Sequence, residues 1–427
     1  MSSIALSPID RGTPNVQFRF FFVYKHCAGK DFNTWISSFK QAVLKLEEIV
    51  PFLKGHSDTG KIVWDDSDHI HLVINENYPS SLEENGFKDE HCYEQSNKWD
   101  LNMAEKKSEI SKRALTIFVN QYTCGGISIQ YSFHHQMVDG YGASLILKEL
   151  SNIMENQPNS YWTFRDRDII FNKITALAGE AKLENGGIVS MNPEDLANPK
   201  PVTVMPVEAT MKYLKIHVKY IVELQEEFND ELIPENNIRL SVNDIACALI
   251  WNEFIQHNPI ENIPWKILFA VDIRREFKDY FGDSYLGNAA IVREAICNIP
   301  KKDVTIKDLA IAIRTSLNDM LHVKSLAETL LWMDEQDRKK KIILPNFRFV
   351  TETGYPDLLI SNWSRFPFYN LTMGLGIPIY AGGPPSEGAS GIGVLQPLPQ
   401  STDMLWIMKI PNTILNSLSN SEWVEVK

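Results

Sequence analysis

The spacing of apolar residues predicts alternating strands and helices along the chain. The stretch "VQFRFFFVYK" is β-rich, and "DFNTWISSFKQAVLKLEEIVPFLKG" follows it with apolar residues at helical spacing until Pro51. Next, "ALTIFVNQ" and "GISIQYSFHH" predict two strands that "YTCGG" joins as a hairpin. Because "GYGASLILKELSNIM" has helical spacing, residues 131–144 predict the end of a strand, a sharp turn and the start of a helix.

A second series of strands and helices begins near residue 211. Residues 183–210 are rich in Pro, Asn and Gly and have no sustained period, which is typical of a connection. Beyond them "MKYLKIHVKY", "KILFAVDIR", "NAAIVREAICNI" and "MLWIMKI" predict strands, while "SVNDIACALIWNEFI" and "IKDLAIAIRTSLNDML" predict helices, the first with Ser241 as N-cap. A chain of 427 residues is longer than one core usually grows. We therefore predict an α/β fold with domains at 1–182 and 211–427 and a crossover linker at 183–210.

Charge and cysteine content narrow the class of protein. The chain has 42 Lys+Arg against 54 Asp+Glu, a net charge of -12, which argues against sequence-independent binding of nucleic acid. The N-terminus lacks the pattern of a secretory signal, and "FRFFFVY" is too short to span a bilayer. Five scattered cysteines without C-x-x-C spacing indicate neither a disulfide framework nor a zinc site. We expect a reduced, cytoplasmic, monomeric protein.

Two adjacent histidines end the second hairpin strand. Its apolar residues, from Ile127 to Phe133, share one side of the strand, and its serines and glutamine share the other. Continued alternation places His135 on the apolar, inward side and His134 on the polar side. The two histidines are therefore predicted to differ in role.

Several roles are open to these two histidines. A buried histidine is commonly a hydrogen-bonded structural residue. A metal site would need His134, His135 and Asp139, but adjacent histidines of opposite parity diverge and no second cluster completes the ligand shell. A serine hydrolase would need a G-x-S-x-G elbow, which the chain lacks. A general base acting on a substrate's hydroxyl or amine remains beside the structural interpretation.

The stretch "HHQMVDG" resembles the H-x-x-x-D-G signature of the coenzyme A-dependent acyltransferases, which include the BAHD enzymes, chloramphenicol acetyltransferase and peptide-synthetase condensation domains. Further segments are similar to that family in the same order: "LSPIDR", "VPFLKG", "SVNDIACALIW", "VDIRREF" with "YLGNAA", and "ISNWSRFPFYNLTMGLGIP". These segments run from residue 6 to residue 378. The resemblance thus covers nearly the whole chain and favours the BAHD branch, in particular enzymes similar to fungal trichothecene O-acetyltransferases.

The resemblance implies a chloramphenicol-acetyltransferase-like fold of two domains, with mixed sheets, flanking helices and a channel between the domains. His135 matches the catalytic histidine, which takes the acceptor's proton and returns one to the leaving thiolate. Asp139 matches the motif aspartate, whose implied role is an ion pair with Arg274 that holds the histidine loop, and Gly140 permits the turn. Acyl-CoA is a co-substrate, and no permanently bound cofactor is implied.

The counterpart of the second family motif, D-F-G-W-G, departs from the family pattern. It is "TMGLG", which begins at Thr372 and keeps both glycines but lacks the aspartate and the tryptophan. The family's tryptophan nitrogen can stabilise the oxyanion, a contribution of roughly 3 kcal/mol, and Leu375 has no donor. Ser361, Asn362 and Thr372 are the side chains predicted to contact the oxyanion or the acceptor.

The phosphates of coenzyme A require a local basic patch on an acidic protein. Lys301, Lys302 and Lys307 in "PKKDVTIK" lie at a predicted helix start, which favours anions through its free N–H groups. The alternative is an ordinary solvated face of the helix. The glycines of "GLGIPIYAGG" are not read as a dinucleotide loop because no strand–turn–helix unit surrounds them.

Three functional hypotheses follow from these residues and the resemblance. The first is an acyltransferase that moves an acyl group, with acetyl favoured, from acyl-CoA to the hydroxyl of a small apolar acceptor. The second is the same transfer to an amine such as a polyamine. The third is a catalytically silent relative that binds acyl-CoA, prompted by the changes at Thr372 and Leu375.

Overall fold

The computed structural model describes all residues of the chain except 26–30, 90, 95–111, 159, 184–185, 199–203, 262–263, 283, 321, 352 and 385–388. The strands are β1 (Ser2–Ala5), β2 (Gln17–Tyr24), β3 (His56–Asp58), β4 (Lys61–Trp64), β5 (His71–Tyr78), β6 (Leu115–Tyr122), β7 (Ile127–His134), β8 (Ile188–Met191), β9 (Ala209–Ile216), β10 (Trp265–Asp272), β11 (Ala290–Cys297), β12 (Ile342–Pro345), β13 (Leu358–Asn362), β14 (Tyr380–Gly382), β15 (Ile392–Pro397), β16 (Met404–Pro411) and β17 (Val424–Val426).

The helices, in chain order, are α1 (Pro8–Arg11), α2 (Phe32–Ile49), α3 (Gly140–Met154), α4 (Arg167–Thr175), α5 (Pro193–Ala197), α6 (Val218–Asn236), α7 (Val242–His257), α8 (Lys278–Phe281), α9 (Ile306–Met320), α10 (Val323–Arg338) and α11 (Asn412–Ser419). Each strand and helix that the apolar spacing predicted is present, so the α/β prediction is confirmed. The described residues contain no helix that is both long enough and apolar enough to cross a membrane.

The residues divide into two compact units, neither of which is one continuous segment. Unit 1 consists of Met1–Ala176, Phe277–Ala290 and Phe366–Pro384. Unit 2 consists of Leu177–Glu276, Ile291–Arg365 and Pro385–Lys427. The predicted domains, 1–182 and 211–427, are each one continuous segment, and their limits stay a prediction. In the structure Phe277–Ala290 and Phe366–Pro384 pack with the N-terminal segment in unit 1.

Unit 1 is built on a five-stranded sheet in the order β14–β2–β7–β6–β5. The predicted hairpin is its centre, with β7 antiparallel to both β2 and β6, while β5 runs parallel to β6. Every residue of β7 is buried, so both faces of this strand are covered. A second, three-stranded sheet has the order β1–β4–β3.

Unit 2 contains a seven-stranded sheet in the order β11–β10–β13–β15–β16–β9–β17. Its core joins the apolar residues of α7 to the sheet, and Trp251 and Trp406 are among the largest buried side chains. The predicted cap of α7 is confirmed, since Ser241 Oγ accepts from the Asp244 N–H at 3.3 Å and the Asp244 carboxylate accepts from the Ser241 N–H at 2.7 Å.

The stretch predicted as a linker contains regular structure in its described part. Residues 188–191 form β8, which pairs antiparallel with β12. The short helix α5 follows, and β9 begins at Ala209. The local composition of Pro, Asn and Gly gives no sign of the pairing because β12 lies in a distant part of the chain.

Candidate active site

His135 is the first residue after β7, immediately before the turn into α3. Its backbone N–H donates to the Val16 carbonyl at 2.9 Å, which fixes the chain at the end of the strand. The imidazole is half-buried, and its ring centroid lies 4.8 Å from that of Phe18. Phe18 is the strand partner of Phe133. His135 therefore faces the same side as Phe133, as the alternation of apolar residues predicted.

His134 occupies the opposite face of the strand and is completely buried. The polar face predicted from alternation is thus covered in the folded protein. Burial, with a contribution from neighbouring His135, lowers the pKa of His134 to about 4. Burial also lowers the pKa of His135 from 6.5, although the Asp139 carboxylate acts in the opposite direction. Both imidazoles are consequently neutral near pH 7, and a neutral imidazole can accept a proton.

Asp139 joins the histidine turn to two backbone segments. Its Oδ1 accepts from the Gly142 N–H at 2.8 Å as the N-cap of α3, which satisfies a free donor of the first helical turn. Its Oδ2 accepts from the Ala289 N–H at 2.8 Å. Asp139 is 3% exposed. These two hydrogen bonds fix the turn, and the role that the resemblance implied for Asp139 stays a prediction.

The glycine requirement of the turn is clearest at Gly142. A Cβ built there would lie 2.8 Å from Val138 Cγ2 and 3.0 Å from the Leu286 carbonyl oxygen. Gly140, the residue that the resemblance singled out, is the first residue of α3 and has an ordinary helical backbone. The turn therefore requires a glycine at position 142 because of close packing, and it does not require one at position 140 because of backbone conformation.

A cluster of aromatic rings extends from His135 through unit 1. The ring centroids of Phe18 and Phe20 are 5.5 Å apart, and those of Phe20 and Phe368 are 4.9 Å apart. Phe366 lies 5.6 Å from Phe368, and the half-exposed Tyr141 lies 6.3 Å from Phe366. We call Phe18, Phe20, Phe366, Phe368 and Tyr141 the aromatic cluster. Phe20 and Phe368 are completely buried, while Phe18, Phe366 and Tyr141 are partly exposed, so the surroundings of His135 are apolar.

The segment that corresponds to the second family motif is a tight turn held by unit 1. Met373 has a φ of 49°, and Gly374 and Gly376 have φ values of 70° and 93°. Trp35 Nε1 donates to the Met373 carbonyl at 2.9 Å, and the Thr372 hydroxyl donates to the Glu155 carboxylate. Glu155 is thus a carboxylate beside the position where the family has its aspartate.

Unit 2 contains six of the predicted site residues, the three lysines considered below together with Arg274, Ser361 and Asn362. Arg274 is 6% exposed, and its Nη1 donates to Asp272 Oδ1 at 3.0 Å. Ser361 Oγ accepts from Trp363 Nε1 at 2.9 Å, and Asn362 Nδ2 donates to Asn243 Oδ1 at 2.7 Å. The ion pair of Asp139 with Arg274 and the oxyanion roles of Ser361 and Asn362 stay predictions.

The lysines proposed for the coenzyme A phosphates differ in their surroundings. Lys301 Nζ donates to the Asn258 carbonyl at 2.9 Å, and Lys307 Nζ donates to Glu231 at 2.8 Å, a contact that raises the pKa of Lys307. Lys302 is exposed. Glu231 offsets the charge of Lys307, and the binding of coenzyme A phosphates by the three lysines stays a prediction. Within the described ranges, no group of three or more His, Cys, Asp and Glu could hold a metal ion.

Sequence reasoning missed a buried network that reaches the histidine turn. Arg167 Nη1 donates to Asp10 Oδ1 at 3.0 Å, and Arg167 Nη2 donates to the Met137 carbonyl at 2.8 Å. The same Asp10 oxygen accepts from the Asn288 N–H at 3.1 Å and from Asn288 Nδ2 at 2.9 Å. One sign was present in the sequence: "SPID" fits a capping box, here formed by Ser7 and Asp10.

Comparison with known proteins gives relatives over most of the chain. A family model described as "Transferase family" matches residues 93–417. A 3'-N-debenzoyl-2'-deoxytaxol N-benzoyltransferase of Taxus canadensis is 26% identical over 264 residues, covering 61% of this chain and 53% of the relative. A taxadien-5-alpha-ol O-acetyltransferase of Taxus chinensis is 24% identical over 61% of this chain and 53% of that protein. The chain thus spans about half the length of these two curated relatives.

Solved structures extend the similarity to the whole chain. F. graminearum TRI101 complexed with coenzyme A and T-2 mycotoxin has a TM-score of 0.73 at 15% identity, covering 100% of both chains. Vinorine synthase has a TM-score of 0.68 at 16% identity, covering 97% of this chain and 92% of its own. At such low identity the similarity shows the fold, and it confirms the predicted two-domain, chloramphenicol-acetyltransferase-like class.

Proposed function

The chain belongs to the Transferase family, that of the BAHD acyltransferases, and on this premise we propose that it transfers an acyl group from acyl-CoA to a small apolar alcohol, with His135 as general base. The observation that carries the proposal is the half-buried, neutral imidazole of His135 beside the aromatic cluster. Coenzyme A as the carrier is supported by its presence in TRI101. Acetyl as the acyl group rests on relatives named O-acetyltransferases.

The proposed reaction uses one imidazole in both directions. His135 takes the proton from the acceptor hydroxyl while that oxygen attacks the thioester carbonyl carbon. The tetrahedral intermediate then collapses, the carbon–sulfur bond breaks, and the imidazolium gives its proton to the leaving thiolate. The products are an ester and free coenzyme A. A base whose pKa lies below 7 is available for the first step without prior deprotonation.

The aromatic cluster favours an apolar acceptor over a polyamine. The partly exposed members of the cluster, Phe18, Phe366 and Tyr141, offer apolar surface, whereas a polycation binds most tightly where carboxylates converge. An uncharged arylamine fits the same surroundings, and two relatives are named anthranilate N-benzoyltransferases. Acceptors with an aromatic or alicyclic body and one nucleophilic group are therefore the first to test.

Replacing His135 with Ala tests the proposal directly. We expect kcat to fall by about 10²–10⁴-fold, the usual contribution of a positioned general base, with the fold retained. The measurement is release of free thiol from a panel of acyl-CoAs, offered with alcohols and amines in turn. His257→Ala, a half-buried histidine of unit 2, serves as the matched control. Full activity of His135→Ala would refute the assignment, and acyl-CoA binding without turnover by the parent would favour the silent relative.

The same assay, repeated across a range of pH, tests the protonation state of the His135 imidazole. Since burial lowers the pKa of His135, kcat/KM should rise with pH along a limb whose midpoint lies below 6.5 and stay level near pH 7. A midpoint above 6.5 would contradict the buried, neutral base.

A further inference from the structure

The buried pair of Asp10 and Arg167 is the largest polar feature of unit 1 that the proposed mechanism leaves unexplained. Both side chains have no exposed surface, and the Nη1–Oδ1 distance is 3.0 Å. Two buried charges lose their hydration, and well-packed apolar residues in their place are often as stable or more so. A contribution to stability therefore does not by itself explain such a pair. The groups that the pair contacts indicate its role better.

Each nitrogen of the Arg167 guanidinium donates to a different segment. Nη1 reaches Asp10, Nη2 reaches the Met137 carbonyl, and Nε donates to the Phe164 carbonyl at 3.2 Å. The ring of Phe52 lies below the guanidinium, with 5.3 Å from Cζ to the centroid. Met137 is two residues after His135. The arginine thus holds the loop that carries the imidazole. Its planar fork spreads the donors over three nitrogens, whereas a lysine carries its donors on one nitrogen and cannot span the same partners.

The histidine loop and residues 288–289 are held together by two carboxylates. Asp10 accepts from the backbone and side chain of Asn288, and Asp139 accepts from the next N–H, that of Ala289. Gln136 Nε2 also donates to the Thr13 carbonyl at 3.2 Å. The loop therefore has fixed contacts on the N-terminal side and on the 288–289 side.

We propose that Asp10 and Arg167 are positioning residues, which hold the loop at Met137 so that His135 stands in register with the reacting groups. Neither residue touches a substrate, and the inference rests on the proposed role of His135. Misplacement of a catalytic group by about 1 Å can cost on the order of 10²-fold in rate. The pair is thus expected to affect kcat far more than KM.

Arg167→Lys is the primary test because it keeps the charge and removes the fork. We expect kcat to fall at least tenfold, while KM for acyl-CoA changes by less than about twofold. Hydrogen exchange at the amides of residues 134–140 should be at least severalfold faster than in the parent. Asp10→Asn, which keeps an acceptor oxygen for Asn288, should give a smaller loss in the same direction.

Asp244→Asn is the matched control. Asp244 is also a buried capping-box aspartate that accepts from an arginine, with Arg314 Nη2 at 2.6 Å, but it belongs to unit 2. We expect it to lower the unfolding midpoint without the tenfold loss of kcat. The inference is overturned if Arg167→Lys keeps the parental kcat while His135→Ala is inactive. If Arg167→Lys does not fold, Asp10→Asn takes its place as the test. Parental kcat and parental exchange rates at residues 134–140 in that variant would overturn the inference. Should His135→Ala stay active, the proposed function fails instead.

Discussion

At the scale of the residue, His134 and His135 are adjacent and yet have different surroundings. His134 is completely buried, and within the described part of the chain neither of its ring nitrogens has a hydrogen-bond partner. His135 is half-buried against an aromatic ring. A second positive charge next to the proposed base would oppose protonation of His135. A neutral His134 avoids that repulsion through the whole catalytic cycle.

The buried His134 makes stability depend on pH. Its pKa is about 4 in the folded protein against 6.5 when unfolded, so the unfolded chain binds the proton more readily between these values. Stability attributable to this residue is complete above pH 6.5 and is lost as the pH falls toward 4. The loss amounts to about 3 kcal/mol, from about 1.4 kcal/mol for each pKa unit.

His134→Met isolates this contribution, because methionine has a similar size and no titrating group. From pH 6.5 to 4 the free energy of unfolding of the parent should fall by about 3 kcal/mol more than that of the variant. Urea denaturation across this range measures the difference. Between pH 7.5 and 8.5 the difference in the free energy of unfolding between the parent and the variant should be constant, which serves as the control. Parallel curves down to pH 4 would show that His134 does not titrate as described.

Alternation predicted which histidine shares a face with Phe133, but it could not predict the role of Asp10. Alternation is local, and it needs only the few residues of β7. The partners of Asp10 lie 157 and 278 positions away, at Arg167 and Asn288. No periodic pattern connects such distant residues. A capping box such as that of Ser7 and Asp10 indicates a helix start, and it carries no information on partners so far along the chain.

At the scale of the element, the turn at residues 371–376 shows how a changed motif keeps its shape. Tyr24 and Trp35 hold the turn by donating to the carbonyls of Leu371 and Met373. The positive φ values at both glycines explain why "TMGLG" keeps them. Thr372 replaces an acidic residue and donates to Glu155, the C-cap residue of α3. The carboxylate at this place thus comes from another element.

Restoring the family's aspartate alone should therefore be unfavourable. Thr372→Asp places a second carboxylate beside Glu155, and we expect a loss of up to about 1 kcal/mol, since Glu155 is exposed and screened. The double variant Thr372→Asp with Glu155→Gln should recover most of the lost stability. Thermal melting at low and high salt measures both, and added salt should weaken the effect. A single variant as stable as the parent would argue against the repulsion.

The elements themselves were predicted better than their arrangement. Apolar spacing gave α2, β6, β7 and α3, because each depends on neighbours within a few residues. It did not give β8 within the predicted linker, and it did not assign β14 to the sheet of unit 1. Pairing of strands from opposite ends of a chain depends on tertiary contacts that composition does not encode.

At the scale of the whole molecule, unit 1 depends on segments from the second half of the chain. β14 pairs with β2, so that Ala381 stands opposite Phe22, and residues 288–289 satisfy Asp10 and Asp139. A fragment that ends at residue 182 has none of these contacts. It also leaves the buried carboxylates of Asp10 and Asp139 without the N–H groups of Asn288 and Ala289, which is costly for charged groups.

We therefore expect a fragment of residues 1–182 to lack a cooperative thermal transition, although the full chain unfolds with one or more sharp transitions. Far-UV circular dichroism and tryptophan fluorescence, recorded during heating, measure the unfolding of the fragment and of the full chain. The full chain carrying Asp244→Asn is a control for a general loss of stability. A fragment that melts sharply would indicate that the continuous limits at residue 182 describe a self-sufficient domain after all.

The edge position of β14 has a consequence for synthesis on the ribosome. The central sheet of unit 1 is complete only after residue 382 has left the exit tunnel, although β2 is made long before β14. Until then the strand "QFRFFFVY" has an open edge, and such apolar edges pair readily with other chains. Nascent chains of this protein thus have a long interval in which the edge of β2 is open to pairing with other chains, and slow translation of the second half would lengthen it.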